Sequence, residues 1–450
     1  MLTPPEEQVI KLPVPRSPLR FVPDPDTLAM LRRAPLQRGV LPDGTSGWLV
    51  TGFAEVRQVL TSLQFSRALA VSPARARRGI EVAAAASLLG MDPPDHTRLR
   101  KLVMSAFTNR RVKSLRPAIA ATVARLLDEF VGQSTPGDLV RGFSLALPVE
   151  VICELLGVPA SDVGRFHTWS SEAMGVWEHD QAQMMNAWMA MGAYVAELIN
   201  LKRLQPSEDL ITALLAARDG DEKLTELELI QLCVTILVGG HETTANQISL
   251  SLLALLTHPE ELARLRADLD LIPGAVEELL RYVLIGSGDL PPGRVATEDV
   301  RFSDVTVMAG DLVWPLLDIA NRDPAVFSNP DRLDVGRPVR AHFAFGDGAH
   351  HCLGAQLARA ELQEAFRGLL TRLPGLRLAV PVEELRYKER MVINSLYELP
   401  VTWDEASAKR KDLPDGHARL AGDPAEASLV PGRCPPAALH YPRRAASTSV

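Results

Sequence analysis

Residues 345–354 read FGDGAHHCLG and place glycines before and after a single cysteine, Cys352. Glycine lets the backbone turn tightly and approach a flat ligand closely. The segment leads directly into residues 353–370, where apolar residues recur at helical spacing. We expect the N-terminus of this helix to lie beside Cys352, where the helix dipole favours a thiolate. The loop therefore predicts the soft, anionic ligand that an iron site needs.

Two other interpretations of this loop follow from its residues. A glycine-rich turn next to a buried structural cysteine would show the same pattern. A zinc site made by His350, His351 and Cys352 is disfavoured, because three consecutive ligands are sterically awkward and no second ligand pair is apparent. The cysteines lie far apart without a CxxC pair, which fits a reducing compartment: Cys153, Cys233, Cys352 and Cys434.

A second pattern, GGHETT at residues 239–244, lies in the most apolar stretch of the chain. Thr225 and Glu228 form a capping-box pattern and Pro259 follows the stretch, so we expect one helix of about 30 residues. Polar residues within it indicate a buried core helix and not a membrane span.

The glycine pair and the polar residues after it give this helix a candidate function. Glycine pairs, and threonine hydroxyls bonded to helix carbonyls, can kink or open a helix, so we expect an interruption near Gly239 and Gly240. An acid beside an alcohol, Glu242 and Thr243, can relay protons in a buried helix. The alternative is close packing against a neighbouring helix, with Glu242 in a salt bridge.

Further charged residues form pairs at helical spacing. His96 and Arg100 lie four residues apart, on one helix face, and can hold an anion together. Glu278 and Arg281 lie three apart and can pair. Taken alone, these residues and Arg294 could equally be ordinary charged side chains on the protein surface.

Taken together, the motifs resemble those of the cytochrome P-450 family. The loop at 345–354 matches all six specified positions of that family's cysteine signature, FGxGxHxCxG. The resemblance implies that Cys352 is the proximal thiolate ligand of haem iron, that His350 contacts a haem propionate and that Phe345 packs near the sulfur. GGHETT is similar to the family's oxygen-binding helix pattern, which implies Glu242 and Thr243 as the catalytic pair and Gly240 as a haem contact.

The resemblance also assigns roles to the paired charges. It implies that His96, Arg100 and Arg294 hold the haem propionates. Glu278-Leu-Leu-Arg281 resembles the family's structural ExxR motif, usually completed by a later arginine, here Arg337. Leu333 stands where the family usually has phenylalanine.

The implied fold is mainly α: the cytochrome P-450 fold, a helix-rich domain with a minor β-rich lobe. Residues 1–403 would form this domain and residues 404–450, which lack apolar periodicity, a flexible tail. The implied cofactor is haem b (iron protoporphyrin IX). The implied reaction is the use of O₂ to hydroxylate or epoxidise a bulky lipophilic small molecule, as in natural-product tailoring. Oxidative coupling, desaturation and a non-catalytic haem-binding protein remain as alternatives.

Substrate-lining residues are expected at about 68–92, about 166–190, before Gly240, and at 284–290 and 392–396. They include Met91, Trp169, Trp177 and Trp188, an adaptable apolar set. We expect no flavin or iron–sulfur domain in residues 404–450, so electrons are expected from an external ferredoxin or flavodoxin with its reductase.

Charge and hydropathy exclude several other partners. The formal net charge of −7 lacks the clustered basic excess of a nucleic-acid-binding protein. Residues 1–25 contain no apolar core of a signal peptide, so we expect no membrane association and a cytoplasmic protein.

In the β-rich part, residues 300–313 predict a small hairpin with its turn at Met308–Asp311.

Overall fold

The computed structural model describes residues 9–72, 74–75, 87–133, 135–174, 181–218, 224–283, 285–286, 293–388 and 393–404. Most of these residues are helical, which confirms the mainly α fold class. The helices are α1 (Pro25–Leu31), α2 (Phe53–Thr61), α3 (Arg67–Ala70), α4 (Asp95–Met104), α5 (Asn109–Val131), α6 (Ala146–Leu156), α7 (Val163–Met174), α8 (Gln181–Leu204), α9 (Leu210–Arg218), α10 (Glu226–Leu256), α11 (Pro259–Ala267), α12 (Ile272–Tyr282), α13 (Leu317–Ala320) and α14 (Ala355–Arg372).

The strands are short and form a mixed six-stranded sheet, a three-stranded sheet and a hairpin. Their orders are β1-β2-β3-β9-β6-β4, β10-β11-β5 and β7-β8. The strands are β1 (Ile10–Lys11), β2 (Leu36–Val40), β3 (Ser46–Val50), β4 (Phe65–Ser66), β5 (Gly137–Asp138), β6 (Arg294–Ala296), β7 (Val300–Phe302), β8 (Val305–Val307), β9 (Leu312–Pro315), β10 (Arg377–Leu378) and β11 (Pro400–Thr402).

Helix α10 is the centre of the helical part and packs against α6, α7, α8 and α14. The capping box forms as predicted, since the Thr225 side chain accepts from the Glu228 amide and Glu228 accepts from the Thr225 amide. Leu250, Leu252 and Leu253 are all fully buried, so the second half of α10 is enclosed on every side. No described helix is long and apolar enough to cross a membrane.

Helix α10 includes both Gly239 and Gly240 and ends at neither, so the glycine pair does not divide it, and the predicted kink or local opening there stays a prediction. A Cβ atom on Gly240 would lie 2.9 Å from Cδ1 of Ile152 on α6. Gly240 therefore lets two helices approach closely, as the alternative interpretation predicted, whereas the salt bridge of Glu242 that belonged to that alternative stays a prediction.

The predicted hairpin exists but its turn lies elsewhere. Val300 pairs with Val307 and Phe302 with Val305, so the chain reverses at Ser303 and Asp304. The turn at Met308–Asp311 instead leads into β9, which pairs with β6 and thereby helps to hold Arg294 in the main sheet.

Parts of the predicted domain division and substrate lining lie outside the described residues. These are the tail from residue 405 onward, residues 1–8, 134, 219–223 and 389–391 of the predicted domain, and, in or beside the predicted lining, residues 73, 76–86, 175–180 (with Trp177), 284, 287–292 and 392.

Candidate active site

The cysteine loop is closed by its own backbone. The amide of Cys352 donates a hydrogen bond of 2.9 Å to the carbonyl of Phe345. Gly346 and Gly348 both have φ of 67°, in the left-handed region that favours glycine. A Cβ atom on Gly348 would also clash with the Leu60 carbonyl oxygen at the end of α2. The glycines are thus required by backbone conformation and, at Gly348, by a close contact.

Cys352 lies immediately before the N-terminus of α14. The residue is exposed to solvent, yet the protein around its sulfur is dense enough that burial raises the pKa of the thiol. Backbone hydrogen bonds from Gly354 and Ala355 and the charges of Arg100 and Arg359 act in the opposite direction and favour the thiolate. The predicted location of the cysteine at a helix N-terminus is confirmed.

Four predicted propionate partners come together from three separate parts of the chain. His96 and Arg100 lie on α4, Arg294 on β6 and His350 in the cysteine loop, and the rings of His96 and His350 pack together. Arg294 is only 6% exposed, and burial, with the charge of Arg67, lowers its pKa to about 9. Arg67 on α3 is a fifth member that the sequence did not indicate.

This basic cluster contains buried polar atoms without hydrogen-bond partners. Neither ring nitrogen of His96 has a partner among the described residues. The nearby carboxylate of Asp92 accepts hydrogen bonds from the Ser66 hydroxyl and the Arg67 amide. Burying cations and imidazoles is costly without compensating charge, so the cluster is suited to an anionic ligand.

The predicted acid and alcohol lie side by side on α10. Glu242 is fully buried, and the Asn246 amide donates 2.8 Å to its backbone carbonyl and 3.4 Å to its carboxylate. Thr243 is half-buried, and its hydroxyl donates 2.6 Å to the carbonyl of Gly239. Because that hydrogen bond uses the hydroxyl proton, the oxygen of Thr243 is left to accept one from another molecule.

Sequence reasoning missed a buried polar contact beside this pair. His241 on α10 is fully buried, and its Nδ1 lies 2.5 Å from Oγ of Ser170 on α7. The ring of His167 lies 5.4 Å from that of His241. Burial lowers the pKa of His241 to about 4, against the opposing charge of Glu242, so the imidazole stays neutral. A polar residue in a core helix was the only available signal, and its partner could not be read from the sequence.

The predicted Glu278, Arg281 and Arg337 network is confirmed. Arg281 donates two hydrogen bonds to Glu278, of 2.7 and 2.8 Å, and Arg337 donates a third of 3.0 Å. The Glu278 and Arg281 side chains are each 2% exposed. Arg281 also donates to the carbonyls of Asn321 and Pro330, so the network holds α12 to the segment before the cysteine loop.

A cysteine at a helix N-terminus, a basic cluster next to it and a buried acid with an alcohol are the features expected of a haem-thiolate protein. The family model "Cytochrome P450" matches residues 172–374. The chain is 48% identical over 370 residues to nocardicin C N-oxygenase of Nocardia uniformis subsp. tsuyamanensis, which covers 82% of this chain and 92% of that protein. It is 44% identical over 369 residues to mycinamicin IV hydroxylase/epoxidase of Micromonospora griseorubida, with 82% and 92% covered.

A solved structure shows the same fold. The LnmA cytochrome P-450 hydroxylase from the leinamycin biosynthetic pathway of Streptomyces atroolivaceus S-140 superposes with a TM-score of 0.78 at 43% identity, covering 84% of this chain and 96% of that one. The chain therefore belongs to the cytochrome P-450 family, and it is a haem-iron monooxygenase.

The residues present fit the haem of this family. Haem carries two propionates, and the cluster of His96, Arg100, Arg294 and His350 is a buried basic group suited to carboxylates. The described residues contain no group of three or more His, Cys, Asp and Glu that could hold a metal ion. A single protein ligand such as Cys352 suffices when the porphyrin provides the other donors. Gly240, predicted to touch the haem, packs on Ile152, and its haem contact stays a prediction.

Proposed function

We propose that this protein uses haem b, held through Cys352, to hydroxylate or epoxidise a bulky lipophilic natural product. The observation that carries the proposal is the convergence of His96, Arg294 and His350 next to the Cys352 loop. Arg100 links the basic cluster to the Cys352 loop, since it donates a hydrogen bond to the carbonyl of His351 and its charge acts on the Cys352 sulfur. Haem has carboxylates at its edge and an iron at its centre that can bind a thiolate. It therefore matches a basic cluster that lies next to a cysteine loop.

Bound haem would activate O₂, so that one oxygen atom enters the substrate and the other leaves as water. A thiolate ligand favours cleavage of the O–O bond. In this proposal Arg100, Arg294, His96 and His350 hold the propionates and fix the orientation of the ring. Cys352 would provide the sulfur that binds the iron, and Phe345 would pack near it.

Glu242 and Thr243 are the proposed proton-delivery pair. The Thr243 hydroxyl donates to the Gly239 carbonyl, so its oxygen can accept a hydrogen bond from a water molecule and hold it. Glu242 is the acid that supplies protons, and Asn246 steadies its carboxylate. In this proposal Thr243 positions the water molecule and Glu242 donates the proton.

The substrate class is inferred from the relatives and from the predicted lining. The two relatives described above act, by their names, on nocardicin C and mycinamicin IV. Trp169 on α7 packs against Phe166 and Tyr194, and Met91 is half-buried against the helical core. Such residues suit a large apolar scaffold. Electrons would come from a separate ferredoxin or flavodoxin with its reductase, in the cytoplasm.

The proposal is tested by reconstituting the purified haem protein with a bacterial [2Fe–2S] ferredoxin, its reductase and NADPH under oxygen-18 gas. Peptide β-lactams and macrolides serve as candidate substrates, selected by the spectral change that they cause on binding. One labelled oxygen atom in the product supports the proposal. Loss of two hydrogens without label would instead show desaturation or coupling, and no reductant consumption with any compound would show a non-catalytic haem-binding protein.

The proton-delivery roles have their own variants. In Thr243→Ala, product formed per reductant should fall and peroxide should rise, while substrate binding stays near wild type. Thr244→Ala is the neighbouring control and should keep its coupling. Glu242→Gln should slow turnover itself, by about 100-fold or more, because it removes the proton donor. Unchanged coupling in Thr243→Ala would assign the water-holding role to another hydroxyl.

A further inference from the structure

A second charged group lies beside the cysteine loop, apart from the residues of the propionate cluster. Arg359 on α14 donates two hydrogen bonds to Glu277 on α12, from Nε to Oε1 at 2.7 Å and from Nη2 to Oε2 at 2.9 Å. This two-bonded geometry fixes the plane of the guanidinium as well as its position. Nothing in the sequence pairs these residues, since they belong to different helices.

His342 completes this group at the start of the loop. Its Nδ1 accepts a hydrogen bond of 3.2 Å from the Ala344 amide, so the ring hydrogen is on Nε2, which donates 3.1 Å to Glu277. Burial raises the pKa of Glu277, but hydrogen bonds from His342 and Arg359 outweigh it and bring the pKa to about 2. The group is therefore one ionised carboxylate that accepts hydrogen bonds from a guanidinium and an imidazole.

Arg359 also reaches the thiolate loop itself. Its guanidinium carbon lies 4.5 Å from the centre of the Phe345 ring, within the range of a cation–π contact. The Phe345 carbonyl in turn accepts the Cys352 amide at 2.9 Å. Thus a cation with a fixed counter-ion lies on the loop that carries the proposed iron ligand.

We propose that Arg359 and Glu277 set the reduction potential of the haem iron, Arg359 raising it and Glu277 limiting that rise. The inference rests on the proposed ligation of haem through Cys352. Reduction adds one negative charge to the iron and its ligand, so a nearby cation stabilises the reduced form and a nearby anion stabilises the oxidised form. Arg359 is a positioning residue in this scheme, because it acts through Phe345 and the sulfur and touches no reacting atom.

The two partners predict shifts of opposite sign. Arg359→Gln should lower the midpoint potential, because the Glu277 carboxylate then faces the loop without its cation. Glu277→Gln should raise it, because the guanidinium loses its counter-ion. Arg359→Lys keeps the charge but loses the second hydrogen bond and the planar ring contact, so its potential should lie nearer wild type than that of Arg359→Gln. A purely structural brace would move both charge variants in the same direction.

The measurement is a redox titration of the purified haem protein with small-molecule mediators, which needs neither substrate nor protein donor. Arg367→Gln is the matched control, an exposed arginine two turns further along α14. Each single charge change should alter the ratio of reduced to oxidised protein at a fixed solution potential by about threefold or more, where tenfold corresponds to about 59 mV. The double variant Arg359→Gln/Glu277→Gln should return toward the wild-type value.

Shifts of the same sign, or no shift in either variant, would overturn the inference. So would loss of haem from both single variants, because the pair would then be a structural brace. The carbon monoxide difference spectrum of the wild type separates this result from failure of the proposed function. If that spectrum lacks the red-shifted band of thiolate ligation, the ligand assignment is wrong, whatever the potentials show.

Discussion

The imidazole rings of His96 and His350 lie with their centroids 4.3 Å apart, although α4 and the cysteine loop are remote in sequence. Burial, together with the charges of Arg294 and His96, lowers the pKa of His350 to about 3. Burial and the charge of Arg100 likewise lower the pKa of His96. The two rings therefore stay neutral between arginines, an arrangement that an anion would stabilise.

Arg294→Ala and Arg100→Ala should each weaken haem retention. Hydrogen bonds to charged groups contribute about 1.5–3 kcal/mol, so haem should be lost about tenfold faster or more from either variant. The rate of transfer to apomyoglobin measures this loss. Arg301→Ala, at an exposed position on β7, is the control and should retain haem as wild type does. Equal retention in all three variants would remove the propionate role.

Cys352→Ser should abolish the red-shifted Soret band that dithionite and carbon monoxide produce with a thiolate ligand. Cys153→Ser and Cys233→Ser should leave the band in place. Both of these thiols are buried, which raises their pKa to about 12, and neither belongs to the loop beside the basic cluster. Disappearance of the band in either control would identify a different sulfur as the iron ligand.

Glu278→Gln should be strongly destabilising. It removes the charge that two nearly buried arginines share, and breaking a buried ion pair costs about 3–5 kcal/mol of the free energy of unfolding. Urea denaturation of the haem-free protein measures the change. Glu398→Gln disrupts an exposed pair with Arg386 and should cost about 1 kcal/mol or less. A similar small loss in both variants would mean that the network is not a principal support of the fold.

His241 should make the fold sensitive to acid. Its pKa falls from 6.5 to about 4 on folding because of burial, with Glu242 opposing the shift and His167 and Lys388 assisting it. The unfolded chain therefore binds a proton between these values that the folded chain does not. Stability that is complete above about pH 6.5 is lost as the pH falls toward 4.

His241→Asn should flatten this part of the stability curve, measured by urea denaturation from pH 7 to pH 4.5. Ser249→Ala, which removes a buried hydroxyl from the same helix without removing a titratable group, should keep the wild-type slope. An unchanged slope in His241→Asn would show that other histidines account for the acid sensitivity.

The sequence determined those features whose chemistry lies within one short segment. The loop from Phe345 to Gly354 needs particular backbone angles and a sulfur at a helix N-terminus, so its residues alone predict its conformation and its chemistry. The capping box of Thr225 and Glu228 likewise fixed the start of α10. The pairing of Glu278 with Arg281 follows from their spacing on one helix.

Local patterns were less informative where two structures share them. A glycine pair is compatible with a bent helix and with close helix packing, and only the position of Ile152 shows that α6 packs closely at Gly240. Residues 300–313 contain two possible reversals. The pairing of β9 with β6 and of β7 with β8 selects the one at Ser303.

Only the tertiary structure decided which remote side chains meet. Spacing along a chain specifies neighbours on the same helix or strand, whereas the approach of one element to another depends on how the whole core packs. For this reason Arg67 joined the propionate cluster, His241 met Ser170, and Arg359 met Glu277 without any signal in the sequence. The sequence alone predicts that the sulfur of Cys352 binds the iron. The packing of α12 against α14 determines which charged side chains lie near that sulfur.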